Sequence, residues 1–202
     1  MKDRRDNPNN PPGRDQALRR FKDEAYPFLP DLLRVAHILT GDVHRAEDLV
    51  QEAMLRAVRH IETYQPGTHM KAWLMTILRR AHIDLYRKDQ RRPDADSLDA
   101  LQHDPKAPAT EEADPAWERP DELLERIDDP TLIRALQSLP DPMRWVLLLV
   151  DVEQMAVNEA AAALDVPPGT VKSRASRARA MLRQRLLPIA KEKGWVTHSA
   201  GN

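Results

Sequence analysis

The segment Val157-Asn158-Glu159-Ala160-Ala161-Ala162-Ala163-Leu164, followed by Asp165-Val166-Pro167 and then by Pro168-Gly169-Thr170-Val171-Lys172-Ser173-Arg174-Ala175-Ser176-Arg177-Ala178-Arg179, decides how the chain is read. An Ala-rich stretch long enough for two helical turns meets a proline-bearing break, and a longer basic helix opens directly after it. Two helices joined by so tight a turn have helix-turn-helix geometry. In the second helix Val171, Ala175, Ala178 and Leu182 fall at i, i+4, i+7 and i+11 and are expected to face inward, leaving Lys172, Ser173, Arg174, Ser176, Arg177 and Arg179 toward solvent. That outward face is nearly all hydrogen-bond donor. Arg and Ser reach base edges and phosphate oxygens, Thr170 is placed to act as N-cap, and a helix N-terminus attracts phosphate. Thr170, Lys172, Ser173, Arg174 and Arg177 are therefore the candidate DNA contacts; the plainer alternative is a solvated basic helix face.

Upstream of this unit the composition changes. Eight prolines lie from Pro93 to Pro142, whereas Pro66 alone interrupts the stretch between Pro30 and Pro93. Proline opposes a helix interior by about 3 kcal/mol, so its distribution marks domain boundaries. From Pro93 to Asp129 thirteen acidic residues face three basic ones, with few apolar residues, which predicts an extended acidic linker. The flanking segments are basic: six Lys/Arg against two Asp over Arg79 to Arg92, and eight against one acid over Gly169 to Lys193. The formal charge of −1 over 202 residues thus conceals two basic patches separated by an acidic strap.

In the N-terminal half the clearest element is the stripe Ala46, Leu49, Val50, Ala53, Met54, Ala57, Val58 and Ile61, spaced at three and four. Its opposite side carries Glu47, Asp48, Gln51, Glu52, Leu55, Arg56 and Arg59, and a Leu among polar groups suits a protein contact better than water. Further along, Trp73, Leu74, Ile77, Leu78, Ala81 and Leu85 make an inner stripe, which leaves Lys71, Arg79, Arg80, Arg87, Lys88, Arg91 and Arg92 for phosphate. The loop before it, Tyr64 to Met70, offers Tyr64 and His69 as stacking groups. Helices are expected near 15–26, 28–39, 43–62, 70–90, 131–138, 141–151, 157–164 and 168–187, with almost no period-two alternation anywhere. The expectation is an all-α protein of two small helical domains joined by an acidic Pro-rich linker.

The run Leu139-Pro140, Arg144, Val146 to Val150, Glu159, Ala161, Pro168 to Arg174 and Ser176 to Arg179 resembles region 4 of the extracytoplasmic-function (ECF) sigma factors, in the sigma-70 family. Independently, Ala46 to Ala57, together with Ala72-Trp73-Leu74 and Ile83 to Arg87, resembles sigma region 2. The resemblance implies a tail at 1–14, region 2 at 15–92, the linker at 93–130, region 4 at 131–190 and a C-terminal tail at 191–202. It implies that Glu47, Asp48, Gln51, Glu52 and Leu55 dock on the β′ clamp of core RNA polymerase and that the second domain touches the β flap. Region 4 would read the minus-thirty-five promoter element. The loop 64–70 and the helix after it, with Tyr64, His69, Lys71, Arg79, Arg80 and Arg87, would engage the minus-ten strand, capturing a flipped base. An anti-sigma factor is an expected further partner.

Two departures from the family pattern carry physical consequences. Ala156 stands where the family places the capping Ser of the first motif helix, a loss of about 0.5–2 kcal/mol, and Ala175 replaces a usual Leu, so a less stable second domain is expected. In Trp73-Leu74-Met75-Thr76-Ile77-Leu78-Arg79-Arg80 an aromatic, an Arg and an Asn of the family pattern are replaced, so strand capture is expected to lean on charge.

Other classes find little support. With no cysteine there is no thiolate nucleophile or disulfide framework, and the seven histidines show no His-x3-His pair, so no metal or cofactor is expected. The acidic pairs Glu47/Asp48, Glu111/Glu112 and Asp128/Asp129 have no pocket about them, and no phosphate loop or nucleophile elbow occurs, so an enzyme is not expected. The longest apolar runs, Trp145 to Val150 and Ala160 to Leu164, fall far short of the ~20 residues of a membrane span, and the N-terminus lacks a secretory apolar segment; a cytoplasmic protein without membrane insertion is expected. Open alternatives are a stand-alone helix-turn-helix transcriptional regulator and a decoy that sequesters an anti-sigma factor. The linker reads as a solubilising tether or as a nucleic-acid mimic that lies in the polymerase's basic channel or folds back on the chain's own basic helices; exchanging its acids for amides should raise the DNA affinity of the free protein in the fold-back case, and unchanged affinity counts against it.

Overall fold

The computed structural model describes residues 14–65, 69–90 and 129–192, and every regular element among them is helical. The expected tail up to residue 13, the loop tip 66–68, nearly all of the linker and the last ten residues lie outside the described residues, and Arg14, expected in the tail, opens the first helix.

The first half holds α1 (Arg14–Ala25), α2 (Leu29–Thr40), α3 (Val43–Arg59) and α4 (Met70–Gln90), with short 3-10 turns at Tyr26–Phe28 and Ile61–Thr63. Pro30 sits in the first turn of α2, where a missing N–H costs nothing. That helix stops at Gly41, whose φ of +70° is the left-handed conformation of a helix-ending glycine and whose N–H donates to the His37 carbonyl at 2.7 Å. Asp42 follows at once as N-cap of α3, accepting from the Arg45 N–H at 2.8 Å. Ala46, Leu49, Val50, Ala53, Ala57 and Ile61 are buried, as their spacing requires, with Met54 and Val58 at the edge of the core. α3 packs between α2 and α4, and α1 closes over α4.

The second half holds α5 (Pro130–Gln137), α6 (Asp141–Leu147), α7 (Val157–Leu164) and α8 (Pro168–Glu192). Asp129 caps α5 by accepting from the Thr131 N–H at 2.7 Å. The Arg144 guanidinium closes the other end of that helix, donating to the carbonyls of Gln137 at 2.8 Å and Leu139 at 2.9 Å. α6 runs into a π turn over Leu148–Val152, so the expected single helix to 151 is widened in its last part. The turn ends with the Glu153 N–H on the Leu148 carbonyl at 2.9 Å and Gln154 at φ +52°. Between α7 and α8 Asp165 takes φ +56°, the left-handed residue that makes the break of the helix-turn-helix. Val171, Ala175, Ala178 and Leu182 face inward as expected, and burial continues to Leu186, so α8 runs past 187 with Pro188 inside its last turns.

One continuous core joins the halves. α4 packs on α7, and α2 touches α5, where a Cβ added at Gly41 would stand 2.4 Å from the Gln137 Nε2. Trp145 is 1% exposed, with the His82 ring of α4 edge-on to it at 5.9 Å. Burial holds the His82 imidazole below its ordinary pKa of 6.5; Asp141 opposes this, and Arg144 and Arg45 reinforce it.

Two measurements follow from this packing. Ala156 has the extended N-cap conformation (φ −60°, ψ 146°) without an acceptor, while its N–H already meets the Glu159 carboxylate at 3.2 Å. Ala156→Ser completes the reciprocal pair and is expected to raise unfolding stability by about 0.5–2 kcal/mol in urea titration. A depressed His82 pKa means that the unfolded chain binds more protons below the ordinary value, so this group makes stability fall as pH drops through 6.5. Unfolding at about pH 7 and about pH 5.5 should show a smaller loss for His82→Phe than for the parent chain; Glu153, whose burial raises its pKa and acts in the opposite sense, is common to both.

Candidate nucleic-acid and polymerase interfaces

Three groups of side chains stand apart from the core. The first is the outer side of α3, where Glu47, Asp48, Gln51 and Leu55 are exposed and Glu52 half-buried; Leu55 is 53% exposed although it is a large apolar side chain. Arg56 anchors this face, donating to Glu52 at 2.7 Å and to Asp84 of α4 at 2.5 Å. The two carboxylates, Glu52 first, hold that guanidinium above its ordinary pKa against a smaller loss from burial.

The second group is the start of α8. Lys172, Ser173 and Ser176 are exposed, whereas Thr170, Arg174 and Arg177 are half-buried. A Cβ at Gly169 would meet nothing within 4 Å, so the approach to this helix end is open. Thr170 does not cap: the helix already opens at Pro168, and the Thr170 and Val171 N–H groups donate to the Pro167 carbonyl at 2.9 and 3.2 Å. Nor does Arg179 join the outward donors. It makes a bidentate pair with Asp151, at 3.0 and 2.5 Å, that ties α8 to the π turn.

The third group lies around α4. Arg80 and Arg87 are exposed, as expected of phosphate contacts. Tyr64, expected as a stacking group, is instead buried, its ring 5.2 Å from that of Trp73, which also meets Phe21 edge-on at 6.5 Å. His69 is exposed but lies 2.9 Å from the Glu159 carboxylate of α7. Lys71 is drawn into ion pairs with Asp31 at 2.9 Å and Glu153 at 2.8 Å. Burial lowers the pKa of this ammonium, and the two carboxylates more than reverse that, so its pKa stands above the ordinary value. Arg79 borders a cleft of about 380 Å³ between the halves, with Ile83 and Arg87 beside it and Trp145, Asp165 and Arg174 opposite.

The structure thus gathers His69, Lys71, Arg79 and Arg174 at the seam between the halves, while Glu47, Asp48, Gln51 and Leu55 of α3 and Lys172, Ser173 and Ser176 of α8 are exposed. Sequence reasoning missed Glu153, Arg34 and His82 at this seam, and the burial of Met75. The available signal was a second line on α4, in which Lys71, Met75, Arg79 and His82 recur at i, i+4, i+8 and i+11 beside the apolar stripe. Among the described residues no cluster of His and acidic side chains has metal-site geometry, and no helix is long and apolar enough to cross a membrane.

Comparison with known proteins agrees with this organisation. The family model for sigma-70 region 2 matches residues 27–92, and that for sigma-70 region 4 matches 131–182. The chain is 36% identical over 163 residues to the ECF RNA polymerase sigma factor EcfG of Rhodopseudomonas palustris, covering 80% of this chain and 82% of that one. It is 34% identical to SigE of Mycolicibacterium smegmatis over 90% of this chain and 64% of the relative, and 30% identical to SigW of Bacillus subtilis over 82% and 84%. Among solved structures it resembles the sigma factor RpoE of Bartonella quintana, determined in complex with the anti-sigma factor NepR, with a TM-score of 0.61 and 28% identity over 82% of this chain and 98% of that one. CnrH, solved with the cytosolic domain of CnrY, shares the fold at a TM-score of 0.60. With both regions matched in order and a relative this similar over four fifths of each chain, the protein belongs to the ECF sigma factors of RNA polymerase.

Proposed function

We propose that this sigma factor divides its task along the chain: residues 15–92 hold core RNA polymerase and engage the minus-ten strand, and residues 131–190 read the minus-thirty-five element. The segment 93–130 is the tether, with tails at 1–14 and 191–202. The observation that carries this reading is Leu55, 53% exposed on the α3 face beside Glu47, Asp48 and Gln51, on a chain that also bears a helix-turn-helix. A regulator acting without polymerase needs the second feature and has no use for the first. Docking of that face on the β′ clamp, and of the second domain on the β flap, places two short DNA-binding units on one enzyme. Linked sites gain affinity through effective concentration, and phosphate contacts make binding fall steeply with salt.

On the DNA side, Lys172, Ser173, Arg174 and Arg177 enter the minus-thirty-five major groove, with Thr170 at the phosphate. Arg80 and Arg87 follow the minus-ten backbone, joined by His69, Lys71 and Arg79 once the seam is open. Tyr64 supports the loop from the core side. The role is one of binding rather than catalysis, carried out in the cytoplasm where polymerase is. The sigma relative solved with the anti-sigma factor NepR supports an anti-sigma factor as a further partner of this chain.

Co-purification with core polymerase tests the first assignment. The intact chain should be retained, and the double change Gln51→Ala with Leu55→Asp should reduce retention at least tenfold, the scale on which central interface anchors act; undiminished retention and transcription would place the clamp contact elsewhere. Arg174→Ala should leave retention unchanged and weaken binding to minus-thirty-five DNA by about 1–3 kcal/mol. A loss of polymerase affinity in that variant would refute the division of labour.

A further inference from the structure

Among the described residues two polar side chains are buried, and both lie at the seam between the halves: His82 against Trp145, and Glu153. The Glu153 side chain is 0% exposed, a costly position for a carboxylate unless it is paired. Its partners come from the other half. Arg34 of α2 donates to it at 2.8 Å, and the Lys71 ammonium stands 2.8 Å from its second oxygen and donates to its backbone carbonyl at 3.1 Å. Asp31 completes the cluster, 2.9 Å from Lys71 and 3.3 Å from Arg34. Next to it, His69 meets Glu159 at 2.9 Å. The π turn and the positive φ of Gln154 flank Glu153 and set where this side chain leaves the backbone.

We propose that Glu153 is a latch: it occupies the Lys71 ammonium with which the start of α4 would bind a DNA phosphate, and so holds the free protein closed until a strand displaces it. This rests on the assignment of the minus-ten strand to α4 and its preceding loop. The same Lys71 cannot serve Glu153 and a phosphate together, so strand binding and closure exclude each other. By linkage each weakens the other by one common factor. Opening the apolar part of the seam exposes only surface to water, whereas Glu153 and His82 regain solvation there, which offsets part of the cost of separating the halves. Burial raises the Glu153 pKa while Lys71 lowers it, as expected of a carboxylate held by its partners in a dry site.

The absence of cysteine allows a direct test on the full chain. Asp23→Cys on α1 and Asn158→Cys on α7, both exposed, take a pair of labels whose separation reports opening in the free protein. Two latch variants are compared, Glu153→Gln and Arg34→Met; the second removes a partly exposed partner outside the DNA and polymerase contacts and decides the matter where the first fails to fold. Both should lengthen the label separation, and both should tighten binding of a short A/T-rich single strand at low salt, on the order of tenfold for Glu153→Gln and less for Arg34→Met. Unchanged separation in the folded variants overturns the latch, and so does opening without a gain in strand affinity. Retention of the same variants on core polymerase, through the untouched Gln51 and Leu55 face, reads the sigma assignment separately: its loss would fault that assignment, and its persistence alongside unaltered closure would fault the latch alone.

Discussion

The structure turns on α4, a helix that has to satisfy neighbours on two sides. Leu74, Ile77, Leu78 and Ala81 are buried toward the first half, while Lys71 and His82 meet partners from the second, and Arg79 borders the cleft between them. A helix with one apolar stripe needs one partner; a helix with a second line of polar and apolar groups needs another, and here α7 and the end of α6 supply it. Without that second line, the halves would meet only through α2, against α5 and through Arg34 on Glu153. With it, the basic side chains His69, Lys71, Arg79 and Arg174 are drawn to the seam, and the first two meet carboxylates there.

Charge therefore acts in this protein through its placement. The near-neutral total of −1 gives no hint of a chain whose basic helices face each other across a cleft lined by Asp141 and Asp165 as well as Arg79, Arg87 and Arg174. Ion pairs within a half, such as Arg179 with Asp151 and Arg56 with Glu52 and Asp84, brace helices against one another. Those across the seam, Arg34 and Lys71 with Glu153 and His69 with Glu159, join the two halves of the chain. A buried pair of this kind adds little net stability, because desolvation offsets attraction, but losing one partner is costly.

Much of the fold was legible. The stripe from Ala46 to Ile61 and the break at Asp165-Val166-Pro167 each combine a period with a punctuating residue, and each is local physics. Less was legible where a segment is buried all round. The run Trp145 to Val150 carries no face, so nothing in it announces the π turn that follows Leu147. α8 outlasts its expected end because burial of Leu186 holds the helix beyond the point where Pro188 withdraws an N–H. Among the site residues, exposure was read correctly for Leu55, Gln51, Lys172 and Arg80, whose own helices turn them outward. It was not for Tyr64 and Lys71, whose surroundings come from segments distant in the chain.

From the sequence alone followed the helical class, the helix-turn-helix, the two basic segments and the division of each helix into an inner and an outer side, because those depend on residues three or four positions apart. Tertiary structure decided which outer sides remain outer. Glu153 and Lys71 are separated by some eighty residues, and no local pattern marks either as a partner of the other. Only the packing of α7 on α4 brings them within 2.8 Å, and a carboxylate taken out of water there binds whichever cations the fold has placed beside it.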